Sequence, residues 1–300
     1  MTNFIKICFI NNYNNAPFLS ECLSSVISQT VTFDRVIIVD DGSSDGSETL
    51  LKGFQEQYPK VEVYRKDNGG QLSTFNYISE LIPENSQVFL LDADDVYPRD
   101  YLQLVLTEFN NKPWDFAFCS HQVFEKTTDT LLKSGKISAE PTIFFGSTSA
   151  LVRSRHCWIG NITSTISLSG SAFRKIFPYP NESNRALWTD DLMIFSSSIL
   201  GLKKTYLSGI AIAWRCHNTN DSKKAHPPQY LLDKKQGIDQ LFNYYCAKYK
   251  ISRYPTISEF YSELNNLNIS WRKRLSLPNH WHLLNRLIRN RYLGWAKKNR

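Results

Sequence analysis

Short apolar runs alternate with amphipathic stretches through the first hundred residues. "FIKICFI" (4–10) is apolar apart from one lysine and reads as a buried strand that ends in the polar run "NNYNN". In "PFLSECLSSVISQT" the residues Leu19, Leu23, Val26 and Ile27 fall at helical spacing, and Pro17 suits a first helical turn. "RVIIV" predicts a second strand running into paired aspartates, and "SETLLKGFQEQY" a helix that Ser44 or Ser47 is placed to cap. "VEVYRKD" is a third strand, "NGGQ" a glycine turn, "LSTFNYISELI" a helix and "QVFLLDADD" a fourth strand. Strands alternating with helices of about 10–14 residues predict an α/β fold with a largely parallel sheet. Strands without polar alternation predict helices on both faces of that sheet.

Beyond residue 110 the alternation weakens. "WDFAFCSHQVFE" reads as a strand, residues 126–170 as loops and short strands, and "SGSAFRKIFPYPN" as a turn, a short helix and a Pro-bounded loop. "TDDLMIFSSSILGL" is a clear helix, with two aspartates at its start and Gly201 near its end. "KTYLSGIAIAWRCHNTNDS" is a strand leading to a polar loop, and the chain from about residue 225 is helical and aromatic. The expected division is an α/β domain over residues 1–222 and a helical, basic region over 223–300.

In parallel sheets ligands bind at the carboxyl ends of the strands. Three strands here deliver polar residues to that edge: "NNYN", "DDGSSDG" and "DADD". The last is the most demanding, because Asp92, Asp94 and Asp95 repel one another and each costs free energy to desolvate. Oxygen ligands of this kind suit magnesium, manganese or calcium. "DDGSSDG" is not a calcium loop of the EF-hand type, since Lys52 stands where a bidentate glutamate is needed. "NNYNNAP" after the first strand has no glycine, which excludes a dinucleotide fingerprint, and there is no P-loop.

Composition narrows the setting. The net charge of +7 is carried by the tail: Trp271–Arg300 holds nine basic and no acidic residues, which leaves −2 for the first 270. Six scattered cysteines without a Cys-x-x-Cys pair fit a reducing compartment. No apolar stretch approaches the ~18 residues of a membrane span, and "ICFI" is too short for a signal-peptide core. A cytoplasmic protein is the expectation, peripheral at most at the inner face of the cell membrane. In the tail, Leu283, Leu284, Leu287 and Ile288 share a helical face with Arg286 and Arg289 turned away, near Trp271, Trp281 and Trp295. That pattern fits an anionic membrane surface or a helical appendage with a solvated basic face. No nucleic-acid motif is present, and no nucleic-acid partner is expected.

The ordered set "NNYNNAPFLSECLSSVISQT", "VIIVDDGSSDGS", "DNGGQLSTFN", "LLDADDVYP", "LWTDDL" and "WRCHNTNDS" resembles family 2 of the glycosyltransferases over roughly residues 5–220. The resemblance implies a GT-A fold, here with a helical C-terminal appendage. It also implies an inverting, metal-dependent transfer from a UDP-, GDP- or dTDP-linked sugar to a saccharide or lipid-linked acceptor, as in bacterial surface polysaccharide synthesis. Asp94 and Asp92 would hold Mg²⁺ or Mn²⁺ against the donor diphosphate, with His217 completing the shell and Arg215 closing over the phosphates. Asn12, Tyr13, Asp40 and Asp41 would meet the nucleoside, and Asn68, Gly69, Gln71 and Asn76 the sugar or diphosphate. Asp95 would orient its neighbours or cap a turn.

The acceptor hydroxyl needs a carboxylate base, and "TDD" stands where the family carries a Glu-Asp pair. Counting back from Gly201 favours Asp190. Treating Asp190-Asp191 as the acidic pair favours Asp191, which is the assignment taken here, with Asp190 as its alternative. The missing glutamate keeps open a non-catalytic sugar-nucleotide or saccharide-binding relative. A sugar nucleotidyltransferase would need a Gly-rich basic loop in place of "NNYNNAP".

Overall fold

The computed structural model describes residues 4–125, 134–182, 186–218, 220 and 224–266. The basic tail, and with it the membrane-surface helix expected there, lies outside the described residues, as does 126–133. The first half follows the predicted alternation: β1 (Ile5–Asn12), α1 (Ala16–Ile27), β2 (Arg35–Asp40), α2 (Ser47–Gln57), β3 (Val61–Arg65), α3 (Gln71–Ile78), β4 (Ser86–Asp92) and α4 (Tyr101–Glu108). The second half comprises β5 (Phe116–Phe124), β6 (Ile143–Gly146), α5 (Ser149–Arg155), β7 (Ile166–Ser169), α6 (Gly170–Ile176), α7 (Thr189–Ile199), β8 (Lys204–Arg215), α8 (Pro228–Lys248) and α9 (Ile257–Asn266).

The strands form one eight-stranded sheet in the order β3-β2-β1-β4-β7-β5-β8-β6. β1, β2, β3 and β4 run parallel, as do β5 and β8, while β7 is antiparallel to both its neighbours and β6 is antiparallel at the edge. Period-2 alternation sends successive residues of each strand to opposite layers. Ile7 and Phe9 pack with α3, α5, α6, α7, α8 and α9, whereas Cys8 and Ile10 pack with α1, α2 and α4. Both faces are therefore dry, which is why the strands read as uninterrupted apolar runs. Leu241, Phe242, Tyr245, Phe260 and Leu264 of the last two helices belong to the same buried cluster as Ile7 and Val88.

Two local expectations are corrected. Residues 126–170 do hold the short strands β6 and β7, but they also hold helix α5. Ser149 to Ser154 are all buried, so no polar face marks α5 and its period is invisible in the sequence. Neither Ser44 nor Ser47 caps α2. Gly46 precedes the helix in a left-handed conformation (φ 92°). The Asp45 carboxylate accepts from the Ser47 amide (3.1 Å) and hydroxyl (2.6 Å) and from the Ala16 amide (2.7 Å). One aspartate thus ties the starts of α1 and α2 together.

Every residue of α7 is buried, because it is wedged against α5, α6 and α8. Its three serines donate to carbonyls of their own helix at 3.1–3.3 Å, which satisfies their hydroxyl hydrogens locally, and the Ser198 oxygen also accepts from the Thr148 hydroxyl (3.0 Å). The fully buried Lys204 pegs this helix to the sheet, donating to the carbonyls of Ile194 (2.8 Å) and Ile159 (2.7 Å). Burial drives its pKa well below the usual lysine value. Among the described residues, no helix is long and apolar enough to cross a membrane.

The turn from β7 into α6 depends on a close approach. A Cβ at Gly170 would stand 1.9 Å from the Pro83 carbonyl oxygen and 2.5 Å from the Ser86 hydroxyl. Gly170→Ala should therefore destabilise the protein by at least ~2 kcal/mol, as overpacking against backbone does. The expected signature is a lower urea midpoint with an unchanged dependence on denaturant.

Candidate active site

Strand register sets the floor of a cleft of about 740 Å³. Asn11 of β1 sits beside Asp92 of β4, and Asn12 of β1 beside Asp40 of β2. The parallel alignment brings the carboxyl ends of these strands to one level, and the polar residues that follow each strand become the cleft wall. Tyr13, Asp41, Gln71, Asp94, Asp190 and His217 all line it. Asn12, Asn68 and Asp92 join them, and Gly70 lines it where Gly69 does not.

The two aspartates after β2 have different work. Asp40 is 1% exposed. It accepts from Asn12 Nδ2 (2.7 Å), from the Ser43 hydroxyl (2.5 Å) and from the Ser43 amide (3.2 Å), with Arg65 at 3.7 Å. It is committed to the protein and fixes the β1 and β2 loops to each other. Asp41 accepts from the amides of Gly69 (3.0 Å) and Gly70 (2.7 Å) and from Lys66 Nζ (2.7 Å). These bonds hold the glycine turn against β2 and aim Asn68, whose Nδ2 donates to the Asp41 carbonyl (3.1 Å). Tyr13 is half exposed at the rim, a ring free to be covered. Asn76 turns away from the cleft, bonding the Tyr179 backbone and Glu182.

At the end of β4 three carboxylates are held within one turn. Asp95 is 1% exposed and accepts from Ser164 Oγ (2.5 Å) and the Arg215 amide (2.8 Å). It anchors the turn to the β7 and β8 segments. Asp92 accepts from Gln71 Nε2 (2.9 Å), and its amide donates to Ser164 Oγ (3.0 Å). Burial first, then the charges of Asp94 and Asp190, push the Asp92 pKa well above the carboxylate range. Burial and the charges of Asp94 and Asp92 do the same to Asp95.

Asp94 faces outward and meets His217 Nε2 at 2.9 Å. The His217 ring packs on Phe18 at 4.6 Å, and its backbone amide donates to Asn220 Oδ1 at 2.6 Å. Arg215 sits behind this wall, 4% exposed. Its guanidinium lies between Phe18 (5.0 Å) and Phe124 (4.5 Å). It donates to Glu21 Oε2 (2.5 Å) and, through Nε, to the Asp94 carbonyl (2.8 Å). Here Arg215 supports the Asp94 turn and does not line the cleft.

Helix α7 separates its two aspartates. Asp190 lines the cleft, 8% exposed, while Asp191, 5% exposed, does not. Burial, followed by the charge of Asp191, raises the Asp190 pKa from 3.8 to about 7; the Asp191 amide and Lys234 oppose the rise. Asp191 turns toward α8. Its Oδ1 accepts from Trp158 Nε1 (3.1 Å), and its Oδ2 forms a 2.7 Å ion pair with Lys234 that is off hydrogen-bond alignment. Of the two candidate bases, Asp190, the one reached by the count from Gly201, lines the cleft, and Asp191, the one taken from the acidic pair, does not.

Several participants carry no legible signal in the sequence. Ser164 and Glu21 become important only through contacts 69 and 194 residues away in the chain. Trp188 and Lys224 also line the cleft; the position of Trp188 just before "TDD" was the one available hint.

Residues 8–177 match the sequence model of Glycosyl transferase family 2. The uncharacterized glycosyltransferase alr2836 of Nostoc sp. is 30% identical over 222 residues, covering 72% of this chain and 66% of its own. The minor teichoic acid biosynthesis protein GgaB of Bacillus subtilis is 36% identical over 101 residues, 33% of this chain and 11% of its own. The chain thus spans less than two thirds of either relative. The mannosyltransferase PcManGT from Pyrobaculum calidifontis, solved with GDP-Man and Mn²⁺, superposes with a TM-score of 0.55 at 16% identity, over 97% of this chain and 75% of its own. The mixed, largely parallel sheet flanked by helices is the expected GT-A fold.

Asp41 is the keystone of the glycine turn. Asp41→Ala would leave the Gly69 and Gly70 amides without their acceptor and take from Lys66 its charge partner, leaving it the Asp67 carbonyl and the Ser73 hydroxyl, at about 2–3 kcal/mol. The expected result is a lower thermal midpoint, accompanied by faster hydrogen exchange at the Gly69 and Gly70 amides.

Proposed function

The chain belongs to glycosyltransferase family 2, and on that footing we propose that it transfers a sugar from a nucleotide-sugar donor to a saccharide or lipid-linked acceptor. Asp190 is the general base, and the configuration at the anomeric carbon inverts. The observation that carries this reading is the placement of a buried carboxyl of raised pKa, Asp190, in the same cleft as Asp94 and His217. A base poised near neutral pH is matched to deprotonating a hydroxyl. With Asp92 and Asp94 on the donor side of the cleft, Asp190 acting alone as base fits one displacement rather than two.

The donor lies along the β1, β2 and β4 ends, its base against Tyr13 and its diphosphate toward Asp94. Asn68, Gly70 and Gln71 border the sugar and diphosphate. Asp40, Asp41, Asp95 and Arg215 act by holding these loops in place. A divalent cation, Mg²⁺ or Mn²⁺, fits the residues present. Among the described residues no three His, Cys, Asp or Glu groups converge as a complete shell. Asp94 and His217 do meet at one point of the wall, and such cations commonly take one or two protein groups plus substrate phosphates. The crowded carboxylates Asp92 and Asp95, raised in pKa by burial and then by their neighbours' charges, also favour a cation there. When bound, the cation would supply Lewis-acid neutralisation of the departing diphosphate. Teichoic acid synthesis in one relative supports a surface polysaccharide as the product.

The direct test is calorimetric binding of a panel of UDP-, GDP- and dTDP-sugars, with and without Mn²⁺, to the wild type and to Asp94→Ala. One nucleotide bound in a manner that requires both Mn²⁺ and Asp94 is the expected outcome. A folded wild type that binds none of the panel would sink the transferase reading.

The two aspartates should also separate kinetically. Asp190→Asn should lower kcat by about 10²–10⁴, and Asp191→Asn by much less. For the wild type, the rate should fall about tenfold per pH unit below ~7, because the base must be ionised. The stability effect has the opposite sign. The folded pKa of about 7 exceeds the ordinary 3.8, so the fold binds the proton more tightly than the unfolded chain does. This contribution is complete below the ordinary value and is lost as pH rises through about 7. Urea titrations from acid to neutral pH should show a smaller stability loss in Asp190→Asn than in the wild type.

A further inference from the structure

We propose that Trp158 and Trp188 form a stacking platform for the pyranose ring of a saccharide acceptor, with Asp191 and Lys234 as the residues that position it. The proposal rests on the glycosyl-transfer reading and extends it to the acceptor side of the same cleft.

Asp191 is a hub. One carboxylate oxygen holds the Trp158 indole N–H at 3.1 Å, and the other is paired with Lys234 at 2.7 Å. Lys234 in turn lies 4.5 Å from the Trp188 ring centroid. A single buried carboxylate thereby holds one indole directly and is linked to the other through the lysine. His226 extends the group, stacked on Tyr230 at 3.9 Å and 6.4 Å from Trp188.

The placement points to a ligand. Trp188 lines the cleft together with Asp190, while Trp158 is fastened to the adjacent Asp191. Trp158 nevertheless remains 43% exposed, although indoles are among the most buried side chains on average. Its N–H is already satisfied, so the exposed part is the apolar ring, held by the aspartate that follows Asp190 in the chain. A flat, oriented aromatic surface of this sort suits a ligand with one apolar face and polar edges. A pyranose is such a ligand: its axial C–H groups cover an indole while its hydroxyls stay hydrated or reach a base. Stacking would present one of those hydroxyls to Asp190. Lys234 and Tyr230 both belong to α8, so that helix supplies the lysine that contacts both Asp191 and the cleft-lining Trp188.

The test is saturation-transfer NMR on the full chain with the methyl α- and β-glycosides of glucose, galactose, mannose, N-acetylglucosamine and N-acetylgalactosamine. At least one glycoside should receive saturation from the wild type. Trp158→Ala should cut that signal at least fivefold. Trp158→Phe, which keeps a ring but loses the N–H, should restore part of it. Asp191→Ala should weaken binding although both tryptophans remain, and Asp191→Asn, which can still accept from Trp158, should keep more of it. Circular dichroism and thermal melts establish that each variant is folded. The proposal is overturned if no glycoside receives saturation from the wild type, or if folded Trp158→Ala binds as the wild type does. Sugar-nucleotide calorimetry keeps the two readings apart. Glycoside binding without nucleotide binding sinks the transferase reading and leaves the platform standing, whereas the reverse sinks the platform alone.

Discussion

Mutual repulsion among carboxylates at the end of β4 is the constraint around which the rest of the molecule is arranged. Asp92 ends a buried strand and Asp94 and Asp95 follow it, with Asp190 approaching from α7; burial first, and then neighbouring carboxylates, raise the cost of charging Asp92, Asp95 and Asp190. The fold answers with groups from distant segments. Ser164 bridges Asp95 and the Asp92 amide, Gln71 donates to Asp92, and Arg215 braces the turn through the Asp94 carbonyl. Asp94 alone is left facing His217 across the cleft wall. A site built this way is prepared to receive positive charge, whether as protons or as a cation.

That arrangement explains the odd sheet order. Inserting β7 antiparallel between β4 and β5 places the turn at Thr163–Thr165 directly beside the β4 end, which delivers Ser164. It also brings β8 parallel to β5, so that Arg215 and His217 emerge at the same edge as the aspartates. A fully parallel sheet would carry these groups to a similar edge only through further crossover helices.

The pair Asp190-Asp191 shows how one helical turn divides labour. Adjacent residues on a helix point about 100° apart, so two neighbouring carboxylates cannot both face the cleft. Asp190 takes the cleft and a raised pKa, and Asp191 takes the α8 side and a lysine. The negative charge of Asp191 is part of what raises its neighbour, so the second aspartate shapes the first without touching the cleft.

The apolar strand patterns determined the sheet class and the covering of both faces, because period and polarity are local properties of the chain. The polar runs after β1, β2 and β4 likewise predicted a shared edge, since parallel strands must end on the same side. Several of the residues that line the cleft, from Tyr13 to His217, were legible on those grounds and from the family resemblance. Helix α5 was not legible, because a segment buried on every side shows no period. Nor was the inward turn of Arg215, which depends on Glu21, Phe18 and Phe124 meeting it across the whole domain. Which of Asp190 and Asp191 faces the cleft needed the packing of α7 against α8. Sequence determines which groups exist and at what spacing; which way a side chain faces is decided by what packs against its other side.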